Sequence, residues 1–281
     1  MSTLLTFIVP VRHPANASDW ASLKERLAQT LASIASQDHA DWRGIVVANH
    51  EADLPAMPVG FEVERVDFAP NQLHDVNALG SLPKEAFYDA FRIDKGRRVL
   101  AGMRRAADSA YFMISDDDDF VSRQLASFVA AHRGAPGWYF PSGLVWTDGS
   151  RHGLLYHHPA FSKLCGTSHI VRADLFGLPL DDTAVSDDDI KQRLGSHIFI
   201  EQMLARTGTP LAPLPFCGAV YRIGHRGAHS GSMGVMRTFV LKRHNVDPRS
   251  FVQSLRRLRR MTPALRQEFF GPLTFSDRGS S

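Results

Sequence analysis

Apolar positions along this chain switch between short continuous runs and helical spacing. The run LLTFIVPV is uninterrupted, rich in β-favouring residues and closed by Pro10, which predicts a buried strand from about Leu4 to Val9. From Asp19 to Ser36, DWASLKERLAQTLASIAS instead spaces Leu23, Leu27, Leu31 and Ile34 along one helix face. WRGIVVAN, Trp42 to Asn49, predicts a second buried strand, and FEVERVDF, Phe61 to Phe68, alternates like a third. Strand, helix, strand, strand predicts an α/β fold with a parallel sheet joined by right-handed crossovers. DKGRRVLAGMRRAADSA, Asp94 to Ala110, reads as a basic amphipathic helix leading into the strand YFMIS.

The second half is less regular. A turn-rich stretch from Arg133 to Gly153 precedes FSKLCGTSHIVRADLF, an acidic loop LDDTAVSDDD, and a helix HIFIEQMLARTG ended by Gly208. A strand-like AVYRI and the glycine- and histidine-rich GHRGAHSGSMG follow. No internal repeat or low-complexity linker interrupts the chain.

At 281 residues, with 44% apolar and 22% charged positions, the chain is long enough for a substantial core and too apolar for a disordered one. Cys165 and Cys217 cannot form a disulfide framework and show no zinc-ligand spacing, so a reducing cytoplasm is the expected setting. The start lacks a basic region before its apolar run, and no run approaches the roughly 18 apolar residues of a membrane span. The net charge of +3 is uneven, because SLRRLRRMTPALR concentrates arginines near the C-terminus. For that segment two readings stand: a helix with a solvated face, or one that attaches peripherally to an anionic membrane surface. Nucleic acid is not an expected partner, since the basic stretch is short and has few interleaved aromatics.

YFMISDDDDF poses the chemical question. Taken alone, Asp116 to Asp119 would be a solvated turn capping the next helix. Placed after a strand, at the end where α/β sheets collect ligands, they suit a hard cation such as Mn²⁺ or Mg²⁺ that bridges protein and diphosphate oxygens. Two overlapping Asp-x-Asp pairs exist, Asp116 with Asp118 and Asp117 with Asp119. Lys95, Arg97 and Arg98 lie one helix upstream to offset phosphate charge. His225 and His229, among glycines, are candidate imidazole ligands.

FIVPVR, LAQTLASIASQDHADWRGIVVAN and DKGRRVLAGMRRAADSAYFMISDDDDFVS, in this order, resemble the nucleotide-sugar glycosyltransferases of GT-A fold, most closely glycosyltransferase family 2. The likeness covers about Leu4 to Leu125. It implies a Rossmann-like, mostly parallel sheet flanked by helices with a smaller acceptor-side region. It further implies one catalytic domain over 1–245, split into a nucleotide-sugar half (1–125) and an acceptor half (126–245), with a basic helical extension over 246–281.

The implied donor is a nucleoside diphosphate sugar, contacted by Pro10, Val11, Arg12, Asn49, Lys95, Arg98, Asp116 and Asp117. Asp118 is the implied main metal ligand, with His225 and His229, while Asp117 is the variable and solvated middle position. Gly166, Thr167 and Ser168 are expected to line the sugar site. Where the family carries its catalytic Asp, this chain has His197, leaving His197, Asp188 and Asp189 as alternative bases, with Glu201 one turn beyond to orient His197. With no base correctly placed, a retaining mechanism stands as the alternative. The acceptor is expected to be a glycan or lipid-linked hydroxyl, as in polysaccharide biosynthesis of a bacterial envelope. The competing activity is a Mg²⁺-dependent nucleotidyltransferase, although neither a P-loop nor a glycine-rich pyrophosphate loop is present.

Overall fold

The computed structural model describes residues 2–74, 83–150, 153–224, 234–241 and 248–271. Strand β1 (Leu5–Pro10) leads through helix α1 (Trp20–Ala35) to β2 (Trp42–Asn49) and β3 (Phe61–Val66). Helix α2 (Lys84–Arg105) then returns the chain to β4 (Tyr111–Ile114). After β5 (Phe120–Val121) come α3 (Leu125–Ala131), β6 (Gly137–Tyr139), β7 (Gly143–Thr147), β8 (Leu154–His158) and β9 (His169–Arg172). Helices α4 (Asp187–Arg193) and α5 (His197–Arg206) precede β10 (Ala212–Pro213) and β11 (Ala219–Ile223). Helix α6 (Pro248–Arg256), β12 (Leu258–Arg260) and α7 (Pro263–Phe269) complete the order.

Among the described residues, seven strands form one sheet in the order β10-β6-β9-β4-β1-β2-β3. Its β4-β1-β2-β3 core is parallel, with β9 added antiparallel to β4. The α/β class and mostly parallel sheet expected from the sequence are therefore the observed ones. Helices cover both faces. Leu23, Leu27, Leu31 and Ile34 of α1 pack with α3 on one face, each contributing about 1.5–3 kcal/mol by burial. Val99, Leu100 and Met103 of α2 pack with Ile190, Ile200 and Leu204 on the other. Asp19 caps α1, its Oδ1 accepting from the Ser22 N–H at 3.0 Å.

A second sheet, β12-β8-β7-β11-β5, receives the chain directly after β4. The acidic run is the crossover between the two sheets, which places it at their seam.

Two expectations need correction. Helix α2 spans 84–105 rather than 94–110: it begins after Pro83, and the chain must leave it early so that the Ala110 N–H can reach the Thr3 carbonyl at the entry to β4. The basic C-terminal stretch is not one amphipathic helix either. It breaks after Arg256, and Leu258–Arg260 pairs antiparallel with β8, so the continuous helix invoked for membrane attachment is absent. No described helix is long and apolar enough to cross a membrane. Phe269 and Phe270 are buried against Phe120, Leu144 and Trp146 of the second sheet.

Candidate active site

Four adjacent aspartates are tolerated because each has a different environment. Asp119 is fully buried and accepts from Thr167 Oγ1 at 2.6 Å, Cys165 Sγ at 3.1 Å and the Arg222 N–H at 3.1 Å. Burial pushes its pKa well above the usual carboxylate range, against the pull of these donors. Thr167 Oγ1 also accepts from the Asp116 N–H at 2.9 Å, so one hydroxyl clamps both ends of the run. The Asp116 carboxylate pairs with Lys95. Burial works against the Lys95 ammonium, but Asp116 holds its pKa above the ordinary value. Asp117 is buried at 7% exposure, which corrects the solvated position expected for it. Burial, reinforced by the charges of Asp118 and Asp116 and opposed by Arg12, pushes its carboxyl up to about 6.

Asp116, Asp117 and Asp118 line a cavity of about 300 Å³ at the C-terminal ends of β1 and β4. Pro10 and Arg12 form one side, and Lys95, Arg98 and Asp94 of α2 another. Gly166, Ser196, His197 and Ile198 face them. Of the residues singled out from the sequence, Pro10, Arg12, Lys95, Arg98, Asp116, Asp117, Asp118, Gly166 and His197 line this one cavity.

Other expected residues lie outside this cavity. Val11 is fully buried, with its N–H donating to the Val47 carbonyl at 2.9 Å. Asn49 is buried and uses its amide internally: Nδ2 donates to the Phe68 carbonyl at 2.7 Å, and Oδ1 accepts from Arg98 Nη1 at 2.8 Å. It orients Arg98, which lines the cavity. Thr167 and Ser168 are likewise fully buried, the first in the acidic clamp and the second donating to the Cys165 carbonyl at 2.6 Å. Asp188 and Asp189 sit in the first turn of α4, where carboxylates complement the helix dipole. Asp188 pairs with Lys191 at 3.3 Å, and Asp189 accepts from Ser186 Oγ at 2.7 Å, so neither faces the cavity as a base. Glu201 approaches His169 Nε2 at 3.3 Å and does not orient His197. His225 and His229 lie outside the described residues.

His197 opens α5, whose cap is Ser196. Close packing brings it there: a Cβ on Gly195 would stand 2.4 Å from the Arg92 carbonyl oxygen of α2. The ring hydrogen bonds to the Lys163 backbone, and its buried Nε2 has no partner among the described residues. Burial, helped by Lys95 and His169, lowers its pKa to about 4, so the imidazole is neutral at pH 7. The unfolded ring titrates near 6.5, hence between 4 and 6.5 the unfolded chain binds a proton that the folded chain refuses. Stability from this source is complete above pH 6.5 and lost toward pH 4, on the order of 1–3 kcal/mol. Urea unfolding at pH 7.5 and 4.5 checks this. The gap in stability should narrow in His197→Gln, and an equal gap in both proteins contradicts it.

Gly166 lets the Asp116–Lys95 pair approach the backbone closely. A Cβ there would lie 2.6 Å from Asp116 Oδ2 and 3.0 Å from Lys95 Nζ. Gly166→Ala should push that pair apart and weaken ligand binding by about 10- to 100-fold, with little global destabilisation. Calorimetric titration of the folded variant is the check, and unchanged affinity refutes the tight fit.

The sequence reading missed Tyr88, Phe91, Arg92, Tyr221 and Arg222, which also line the cavity. Tyr88, Phe91 and Arg92 follow i, i+3, i+4 spacing on the part of α2 that was not assigned to a helix. Arg222 carried no local signal, since only the fold brings β11 beside the acidic loop.

No protein-family model matches the chain, and no curated protein matches it by sequence. Solved structures show partial likeness. TarS 1-349 from S. aureus is 12% identical with a TM-score of 0.43, over 78% of this chain and 60% of that one. Rv0371C from Mycobacterium tuberculosis H37Rv, solved as a complex with manganese, is 12% identical with a TM-score of 0.36, over 79% and 92% of the two chains. A protein described as a nucleotide-diphospho-sugar transferase from Desulfovibrio desulfuricans G20 is 13% identical with a TM-score of 0.32, over 91% and 95%. The chain thus spans about 60% of the length of the TarS fragment.

Proposed function

We propose that the chain is a glycosyltransferase that moves a sugar from a nucleoside diphosphate sugar to a hydroxyl of a glycan or lipid-linked acceptor. The observation that carries this reading is the cavity at the ends of β1 and β4, where crowded carboxylates meet arginine and lysine side chains. Such a mixture suits a polyanion accompanied by a cation better than it suits either alone.

The residues fit Mn²⁺ or Mg²⁺ in one particular way. Among the described residues no group of three His, Cys, Asp or Glu side chains is arranged to hold an ion. Yet Asp117 and Asp118 adjoin in the cavity wall, and the raised Asp117 pKa reports burial and carboxylate crowding that a cation relieves. One or two carboxylates plus substrate phosphates is how Mg²⁺ is commonly held. Asp118 and Asp117 would hold it, and it would supply charge stabilisation to the departing diphosphate.

The chain's own groups do the remainder. The Lys95–Asp116 and Arg98–Asp94 pairs fix the cavity wall and its field. Tyr88 and Phe91 offer an apolar rim to the nucleoside. His197, which lines the same cavity, is the base of this reading: it takes the acceptor hydroxyl's proton as the new bond to the sugar forms and the bond from sugar to diphosphate breaks.

A thermal-shift panel of UDP, GDP, CDP and dTDP sugars, with and without Mn²⁺, tests the reading. A ligand that binds only the folded state raises apparent stability. One nucleotide sugar should give a manganese-dependent rise. No shift with any of them sinks the proposal, and turnover of nucleoside triphosphates without a sugar would instead favour nucleotidyl transfer.

A further inference from the structure

Helix α6 carries its apolar side chains outward. The spacing of Phe251, Val252 and Leu255 puts all three within an arc of about 100° around the helix. They are 36%, 44% and 39% exposed, whereas the residue that α6 buries is Ser254. A helix of a globular domain ordinarily turns such an arc toward the core. Here the small polar side meets the protein and the apolar side is open. The helical turn Met236–Val240 packs beside α6 and adds exposed Met236, with exposed Leu241 next to it in the chain. None of these five apolar residues lines the cavity at β1 and β4.

The rim of this face is basic. Arg249 and Arg256 border the arc on its Val252 side, and Arg257, Arg259 and Arg260 carry the charge on into β12, the edge strand of the second sheet. No Asp or Glu occurs from 248 to 267. Among the described residues no carboxylate pairs with Arg256, Arg257, Arg259 or Arg260. Arg259 Nη1 donates to the carbonyls of Arg256 and Leu258, and Arg257 Nη1 lies 3.5 Å from Tyr156 Oη. The positive field reaches the neighbouring strand β8, where burial and then the charges of Arg259 and Arg257 lower the pKa of His157.

An open apolar arc with a basic border calls for a partner that is apolar and anionic at once. We propose that α6 and β12 form a docking face for the surface of an anionic lipid bilayer. Phe251, Val252 and Leu255 enter the boundary between headgroups and acyl chains, and the arginines meet lipid phosphates. Lipid headgroups move laterally to each guanidinium, whereas an acidic protein would need carboxylates fixed opposite arginines that stand on two different elements. The face is not the continuous amphipathic helix expected from the sequence. Nine helical residues serve because the fold holds them: α6 runs directly into β12, which pairs with β8. This inference goes beyond the transferase reading and does not depend on it.

Co-sedimentation of the full chain with vesicles, without donor or metal, tests the proposal. Parent protein should bind vesicles containing about one-third phosphatidylglycerol at least about tenfold more tightly than vesicles of phosphatidylcholine alone, and roughly 1 M salt should remove most of that difference. The double change Phe251→Ser with Leu255→Ser, and separately Arg259→Gln with Arg260→Gln, should each weaken binding to the anionic vesicles by about tenfold or more. Should one double variant not fold by circular dichroism, the other decides. No binding by the parent, equal binding to both kinds of vesicle, or equal binding by parent and folded variants overturns the proposal. Binding to polyglutamate in place of vesicles also overturns it and gives the face to an acidic protein. The response to nucleotide sugars should be the same in parent and variants, so vesicle binding can fail while the transferase reading stands.

Discussion

Changing Asp118 to asparagine is expected to lower kcat for sugar transfer by at least about a thousandfold, roughly 4 kcal/mol of transition-state stabilisation. The thermal midpoint should stay close to that of the parent. Asp118 lines the cavity between two neighbours that are buried or fully committed, Asp117 at 7% exposure and Asp119 at 0%. Asparagine preserves shape and one acceptor oxygen but removes the charge offered to a divalent ion. Asp116 and Asp119 would be poorer tests, because one holds Lys95 and the other anchors three donors. Their loss would disturb the loop itself. Steady-state kinetics and calorimetry on the same preparation separate these effects, and a variant that keeps a tenth or more of the activity contradicts the assigned role.

Phe270→Ala is the largest expected stability loss, about 3–5 kcal/mol for removing a buried aromatic side chain. Phe270 is fully buried, its ring centroid 4.4 Å from that of Phe120 and 5.7 Å from that of Trp146. The same two rings support the Arg222 guanidinium. The segment therefore closes the second sheet and underlies one wall of the cavity. Urea denaturation measures the loss directly, and a change below about 1 kcal/mol would mean that the C-terminal segment is dispensable to the core.

Strands β1 and β2 and helix α1 were legible because burial there follows periodicity, with continuous apolar runs for strands covered on both faces and a four-residue rhythm for α1. The run after β4 was legible as chemistry, since four like charges demand compensation. Which carboxylate did what was not legible. Asp119 owes its burial to Thr167, Cys165 and Arg222, which are 46 to 103 positions away in the chain. The partner of Asn49 was not legible for a related reason: a polar residue at a strand end can serve a ligand or another side chain, and only packing shows that it holds Arg98. The LRR of β12 looked helical because its neighbours supply helical spacing, but pairing with β8 overrides local propensity.

As proposed, the seam between the two sheets, with Asp118 in its cavity, holds the cation and diphosphate of a sugar nucleotide. Anomalous diffraction from a crystal soaked with Mn²⁺ and the nucleotide sugar chosen by thermal shift tests it most directly. A manganese peak against the Asp118 carboxylate and the diphosphate is the predicted result. Manganese and nucleotide bound elsewhere, with the cavity at β1 and β4 left vacant, would contradict it.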